Sequence, residues 1–353
     1  MFDTHVLYNT FYRKLNRTPI WFMRQAGRHL PEFREIRSRQ TDLMKLFLSP
    51  ADIHEITLQP ARRYDIDGAI IFSDILVIPY ALGQDLQFSP GPKLPALDLK
   101  NIEEWCKKAV QVDIHEKLQP VYESLSMVRE SLDPKKTLIG FAGAPWTLAC
   151  YMIEGESSRT HLKTKTFAYQ HPEKLQTLIT LLEGAIVDFL ERQVSSGAQV
   201  VQLFDSWAGI LPQTSFMKWC VEPAARIVKA FKERCPDTPI ICFPKGGQGY
   251  YESYVQTVKP DGLSLDSFID DARVAAQLQS KVLLQGNLDP QLLVAGGPLL
   301  EAETLRILDT YRNGRHIFNL GHGVLPEVPV AHVEKVIETV RRWDAENLTA
   351  EVA

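Results

Sequence analysis

The chain has 353 residues, is 45% hydrophobic and 23% charged, and carries a formal net charge of -4. That is ordinary globular composition, long enough for two average domains or one large α/β barrel. A mildly acidic balance argues against a general nucleic-acid binder, which needs net positive patches.

The five cysteines (Cys106, Cys150, Cys220, Cys235 and Cys242) form no CxxC pair. They argue against a disulfide framework and a structural zinc site, and they fit a reducing, cytoplasmic setting. The start has an acid at position 3 and no long apolar run, unlike a secretory leader. The longest apolar stretch, "GAIIFSDILVIPYALG", is broken by Asp74 and Pro79, so no membrane span is expected.

Eight short runs rich in Val, Ile, Leu and Phe recur along the chain. In order they are "PIWFM" (19–23), "GAIIFSD" (68–74), "TLIGFAG" (137–143), "AQVVQLFDS" (198–206), "PIICFPKGG" (239–247), "GLSLD" (262–266), "KVLLQGN" (281–287) and "HIFNLGHG" (316–323). Most are continuous rather than alternating, as in parallel strands buried on both faces. Between them, a 3–4 spacing of apolar residues predicts helices over 173–194 and 331–343, and another starting at Pro223. The stretch 83–98 is rich in Pro and Gly and reads as a loop, followed by one polar helix over 101–132. Strand–helix alternation without a break in composition predicts a single α/β domain over 1–353. Eight strands point to a (β/α)8 TIM barrel with long βα-loops at its C-terminal face. No GxGxxG follows the first strand.

In such a barrel the chemistry sits at the C-terminal ends of the strands. Those ends carry Arg24 and Arg28, Ser73 and Asp74, Tyr151, Asp205 and Ser206, Lys245, Asp266, Asn287 and Asp289, and Asn319 and His322. Asp74 lies among apolar residues, where a carboxylate needs compensation. A helix cap or a partner for a core arginine accounts for it as well as a functional role does. Arg24 and Arg28 flank a "QAG" turn. Surface pairing with Glu32 and Glu35 is the plain reading, and an anion-binding rim the sharper one. Arg34 and Arg37 read as surface or supporting groups on the next helix. The glycines around His322 allow close backbone approach to a ligand, and loops at this position leave phosphate open. No HExxH, paired-histidine set or GxSxG elbow occurs. From the residues alone, this is a barrel enzyme with a cationic mouth and one sequestered aspartate, acting on an anionic small molecule without a metal.

The stretches "PIWFMRQAGRHLPEFREIR", "IIFSDILVIPYALG", "IGFAGAPWTLACYMIEG", "LQGNLDP" and "NLGHGV" resemble, in order and across nearly the whole chain, the motifs of the uroporphyrinogen decarboxylase family. The resemblance implies a (β/α)8 barrel, a homodimer, and no metal or organic cofactor. It implies conversion of the four acetate arms of uroporphyrinogen III to methyls, giving coproporphyrinogen III in haem biosynthesis. It assigns Asp74, Arg24 and Arg28 to catalysis, and Arg24, Gln25, Arg28, Asp74, Tyr151, Ser206 and His322 to substrate binding. Three positions depart from the family pattern: His29 in place of Tyr, Glu156 in place of a second Gly, and Ser267 in place of Trp.

A substrate with eight carboxylates calls for clustered arginines, and four pyrrole N–H groups call for one central acceptor. On this reading Asp74 stabilises the cationic ring formed when a pyrrole carbon is protonated. Arg28 holds non-reacting arms. Arg24 binds an arm or acts as an acid through water, and His322 and Tyr151 position carboxylates. The competing readings are a corrinoid or thiol methyltransferase on a related barrel, a non-catalytic tetrapyrrole carrier, and a phosphosugar enzyme.

Overall fold

The computed structural model describes residues 5–89 and 91–352, with the backbone alone for 348–352. Asp3, part of the reading of the chain start, and Pro90, inside the 83–98 stretch, lie outside the described residues. Among these residues seven parallel strands form one curled sheet in sequence order: β1 (Gly68–Ile70), β2 (Thr137–Gly143), β3 (Val200–Asp205), β4 (Ile240–Pro244), β5 (Gly262–Ser264), β6 (Leu283–Leu288) and β7 (His316–Leu320). Apart from the half-buried Phe204, every residue in them is buried, which is why they read as continuous apolar runs. Helices pack outside, the longest being Pro172–Ser195 and Val330–Val352. The helix expected from Pro223 runs Glu222–Arg234. No helix is long and apolar enough to cross a membrane among the described residues.

The first expected strand, 19–23, is not a regular strand. It makes a single parallel bridge, Ile20 to Phe318. It still closes the barrel, because Phe318 N donates to Pro19 O at 2.8 Å and Asp67 N donates to Ile20 O at 2.8 Å. Side chains supply the acceptors that a ladder would have supplied. Ile20 N donates to Asp67 Oδ2 (2.9 Å), Phe22 N to Gln25 Oε1 (2.9 Å) and Met23 N to Asn319 Oδ1 (3.0 Å). Buried backbone N–H groups need such partners, and here they are met without a sheet.

Two further expectations are corrected. The helix expected over 101–132 is two, Ile102–Ala109 and Ile114–Ser131; Asp113 Oδ1 accepts from His115 N at 2.8 Å and starts the second. The stretch 83–98 holds a short antiparallel hairpin, Gln87–Phe88 against Pro92–Lys93, which carries Phe88 over the barrel mouth. Of the family departures, Glu156 is exposed and its backbone bridges Lys93 beside this hairpin.

Asp67 is the anchor of the closing segment. Besides Ile20 N it receives Arg341 Nη2 at 2.7 Å and Arg17 Nη2 at 3.2 Å, with its side chain only 8% exposed. Asp67→Ala leaves a mostly buried guanidinium and a buried N–H unmatched. Its expected cost is about 3 kcal/mol, the low end for a broken buried pair because Asp65 also contacts Arg341. Asp65→Ala, at an exposed carboxylate, is expected to cost under about 1 kcal/mol. Urea denaturation of the two variants checks the contrast.

Candidate active site

A cavity of about 520 Å3 opens at the C-terminal ends of the strands. That size suits a small-molecule site. Phe33, Phe47, Phe72 and Phe88 form one wall, with successive ring centroids 5.2–5.5 Å apart. Phe141, Phe204 and Phe243 form another, at 5.7 and 6.4 Å. Aromatic walls remove a large apolar area from water and leave few polar groups to orient a ligand. The sequence reading missed this feature. The signal was present, since each of the last three phenylalanines sits in the closing residues of a strand.

Beneath lies a buried polar floor. Gln285 Nε2 donates to Gln202 Oε1 (3.0 Å) and Ser264 Oγ (3.2 Å), while Gln285 Oε1 accepts from Trp21 Nε1 (2.9 Å). This network fixes the barrel interior under Met23, which lines the cavity.

Asp74 follows β1 and is half-buried at the cavity wall. Its Oδ1 accepts from Leu76 N at 2.8 Å. Oδ2 has no hydrogen bond among the described residues. Desolvation raises its carboxyl above the usual range, opposed by the Leu76 bond and by the positive charge of Arg24. Donors presented by a ligand to Oδ2 would favour the charged form.

Arg24 and Arg28 are exposed and line the same cavity. Among the described residues neither guanidinium has an ion pair, so the surface pairing with Glu32 and Glu35 does not form. Those acids bind Arg63 and Arg39 instead. Arg34 Nη1 donates to the carbonyls of Arg28 (3.2 Å) and His29 (3.5 Å) and braces the turn. Arg37 lines the cavity with the other two, nearer the site than expected. Arg24 takes a left-handed backbone, φ +60°.

His322 also lines the cavity. Its Nδ1 accepts from Gly323 N at 2.7 Å, which leaves the proton of the neutral ring on Nε2. Burial, Arg24 and Lys245 push its imidazole down to about 3. It is therefore a neutral donor at physiological pH. The glycines beside it serve the protein rather than a ligand. A Cβ on Gly323 would lie 2.4 Å from Arg24 Cδ, and one on Gly321 would lie 2.1 Å from Ser267 Oγ. The third family departure, Ser267, thus packs on the glycine loop.

Ser206 lines the cavity just past β3. Gln25 and Tyr151 do not line it. Gln25 is buried, and its amide Nε2 donates to Gly68 O at 3.0 Å while Oε1 holds Phe22 N. It stitches the arginine turn to β1. Tyr151, on the helix Pro145–Glu154, packs on Trp207. Burial and the charge of Asp74 push its phenol up to about 12. Among the described residues no cluster of three His, Cys, Asp or Glu side chains is placed to hold a metal.

Residues 8–343 match the family described as "Uroporphyrinogen decarboxylase (URO-D)". A protein of Novosphingobium aromaticivorans named uroporphyrinogen decarboxylase is 42% identical over 329 residues, covering 93% of this chain and 96% of its own length. One of the same name from Chelativorans is 46% identical over 325 residues, covering 92% and 94%. Among solved structures, a methyltransferase from Methanosarcina mazei superposes with a TM-score of 0.80 at 15% identity, covering 97% of this chain and 99% of that one. At that identity the likeness bears on the fold alone.

His29, the first family departure, is buried with its ring parallel to that of Tyr64, centroids 6.5 Å apart. Burial pushes its imidazole down to about 4, against the pull of Glu32. Below pH 6.5 the unfolded chain therefore binds a proton that the native state refuses, and wild-type stability falls as pH falls through that window. His29→Tyr removes this effect. Relative to wild type, the variant is expected to gain about 1.4 kcal/mol per pH unit between roughly pH 6.5 and 4. Urea midpoints at pH 7 and pH 5 measure the difference.

Proposed function

Because the chain belongs to the uroporphyrinogen decarboxylase family, we propose that it removes the four acetate carboxyls of uroporphyrinogen III as CO2, leaving methyls and yielding coproporphyrinogen III. It is a carboxy-lyase of porphyrin biosynthesis. The observation that carries the reading is one cavity with unpaired arginines at its rim, a lone aspartate in its wall and phenylalanines between them.

Each part answers one feature of the substrate. The apolar walls take the macrocycle. Asp74 Oδ2 faces the pyrrole N–H groups, and their donation returns its carboxyl to the charged form. Arg28 and Arg37 hold arms that do not react. His322 offers its Nε2–H to a carboxylate, and Ser206 adds a hydroxyl. Tyr151 backs Asp74, and Gln25 holds the turn that presents Arg24.

Decarboxylation needs somewhere for the bonding electrons to go. Protonating the pyrrole carbon beside an acetate arm makes a ring cation. Breaking the C–C bond then releases CO2 and neutralises that cation, and a second proton completes the methyl while the ring carbon loses its own. Net, each arm takes up one proton. Asp74 stabilises the cation most strongly because the walls exclude water. An arginine gripping the departing carboxylate would stabilise the ground state and slow its loss. Arg28 therefore serves the spectator arms, and Arg24 binds an arm or relays a proton through water. The working unit is a homodimer in the cytoplasm, as the family resemblance implies.

Incubation with freshly reduced uroporphyrinogen, followed by oxidation and separation by carboxyl number, should yield seven-, six-, five- and four-carboxyl products. The reading fails if the eight-carboxyl species persists. Asp74→Asn is expected to lower turnover by about 10²–10³ with substrate still bound; near wild-type turnover would remove its role. Gly323→Ala should displace the Arg24 guanidinium and cut kcat/KM by about 10²-fold, with little change in melting temperature. Kinetics and a thermal scan on the same sample separate the two effects.

A further inference from the structure

In the hairpin, Phe88 pairs with Pro92 and Gln87 with Lys93. Side chains alternate between the two faces of such a pair. Phe88 and Pro92 line the cavity, while Gln87 and Lys93 are exposed. Leu86 and Leu94, two residues outward on the inner face, are buried. Gln84 Nε2 closes the base by donating to Pro95 O (2.6 Å), and it ties the base to the helix Pro145–Glu154 through Met152 O (3.1 Å). Leu94 N donates to Gly155 O at the end of that helix (2.7 Å). The hairpin is thus held by groups other than Phe88. The Phe88 ring meets Phe47 edge-on, with centroids 5.5 Å apart.

The rings of this wall divide in two. Phe33 and Phe47 are each 4% exposed, so they serve the core. Phe72 and Phe88 are half-buried and keep ring surface for a ligand. Phe72 sits two residues before Asp74, whereas Phe88 stands on the separately anchored hairpin. The substrate changes in a way that this surface can sense. An acetate arm is drawn to the arginines. The methyl that replaces it carries no charge and is buried best against apolar rings. Each round therefore weakens the Coulombic hold on the macrocycle and adds apolar surface to it.

We propose that Phe88 is a specificity-determining residue that takes methyls formed in earlier rounds, and so holds partly decarboxylated porphyrinogens in the cavity. The inference rests on the function proposed above and adds to it the group that keeps intermediates bound as their charge falls.

The test is steady-state kinetics on eight- and five-carboxyl porphyrinogens. Phe88→Ala is expected to raise KM for the five-carboxyl substrate by about 10-fold, the loss of apolar contact with its methyls, with kcat within about threefold. For the eight-carboxyl substrate, which has no methyls, the rise should be about threefold or less. Given the eight-carboxyl substrate in excess, the variant should accumulate more five-carboxyl porphyrinogen than wild type does. Phe88→Leu keeps an apolar side chain and should stay within about threefold of wild type on both substrates. A merely structural ring would instead lower the melting temperature and leave the ratio of the two KM values unchanged. The proposal is overturned if Phe88→Ala leaves both KM values within about twofold of wild type, raises the two equally, or collapses kcat at unchanged KM. Should that variant not fold, Phe88→Thr is read in its place by the same criteria. A wild-type protein that releases no CO2 sinks the function itself. An active wild type beside an unaffected Phe88→Ala sinks only the role of the phenylalanine.

Discussion

Closing the sheet with residues 19–23 is the constraint on which the rest depends. Seven strands cannot satisfy both edges of a curled sheet. The eighth position is taken by a segment that makes one bridge and borrows its other acceptors from Asp67, Gln25 and Asn319. These three side chains come from the β1 approach, from the turn itself and from β7. They fix the closing segment from both sides and from its own end. The arginine turn begins at the next residue, so the same bonds that seal the barrel aim Arg24 and Arg28 at the cavity.

Desolvation organises the electrostatics inside that frame. Apolar walls make Asp74 reluctant to ionise and keep His322 neutral, and nearby cations lower the proton affinity of both, opposing burial at Asp74 and reinforcing it at His322. Positive charge helps the aspartate lose its proton and prevents the histidine from gaining one. The result is one acceptor in the wall, one neutral donor near it, and cations toward solvent. A ligand that is apolar in the middle, rich in N–H at its centre and anionic around its edge matches each zone. A compact phosphosugar would leave the phenylalanine walls unused, and the curated relatives point away from it.

Much of the fold was legible because buried parallel strands leave continuous apolar runs, and seven of the eight runs became strands. The eighth did not, since nothing local distinguishes a ladder from a segment satisfied by Asp67 and Asn319, 47 and 296 positions away from their donors. Of the site, the residues with unusual surroundings could be read: Asp74 in an apolar run and arginines around a turn. What could not be read was the direction of a side chain. Gln25 lies between two cavity arginines yet turns to the backbone of Gly68. The glycines around His322 read as room for a ligand, but the room is filled by Arg24 and Ser267.

Arg24 shows how the frame and the chemistry meet. A left-handed backbone at a non-glycine residue costs on the order of 1–3 kcal/mol. It persists because both flanks are fixed: Met23 N by Asn319, and Gln25 by Phe22 and Gly68. An extended arginine would continue the line of the closing segment. The sharp turn instead sends the side chain across Gly323 toward His322 and Asp74, and any larger residue at 323 would occupy that path. The strain is thus tied to one outcome, a guanidinium brought to the cavity with no ion pair among the described residues, near enough to Asp74 to favour its charged form. An arginine that reached the same place in a relaxed conformation would be free to swing toward the helix Pro31–Arg39, where Glu32 and Glu35 already hold Arg63 and Arg39.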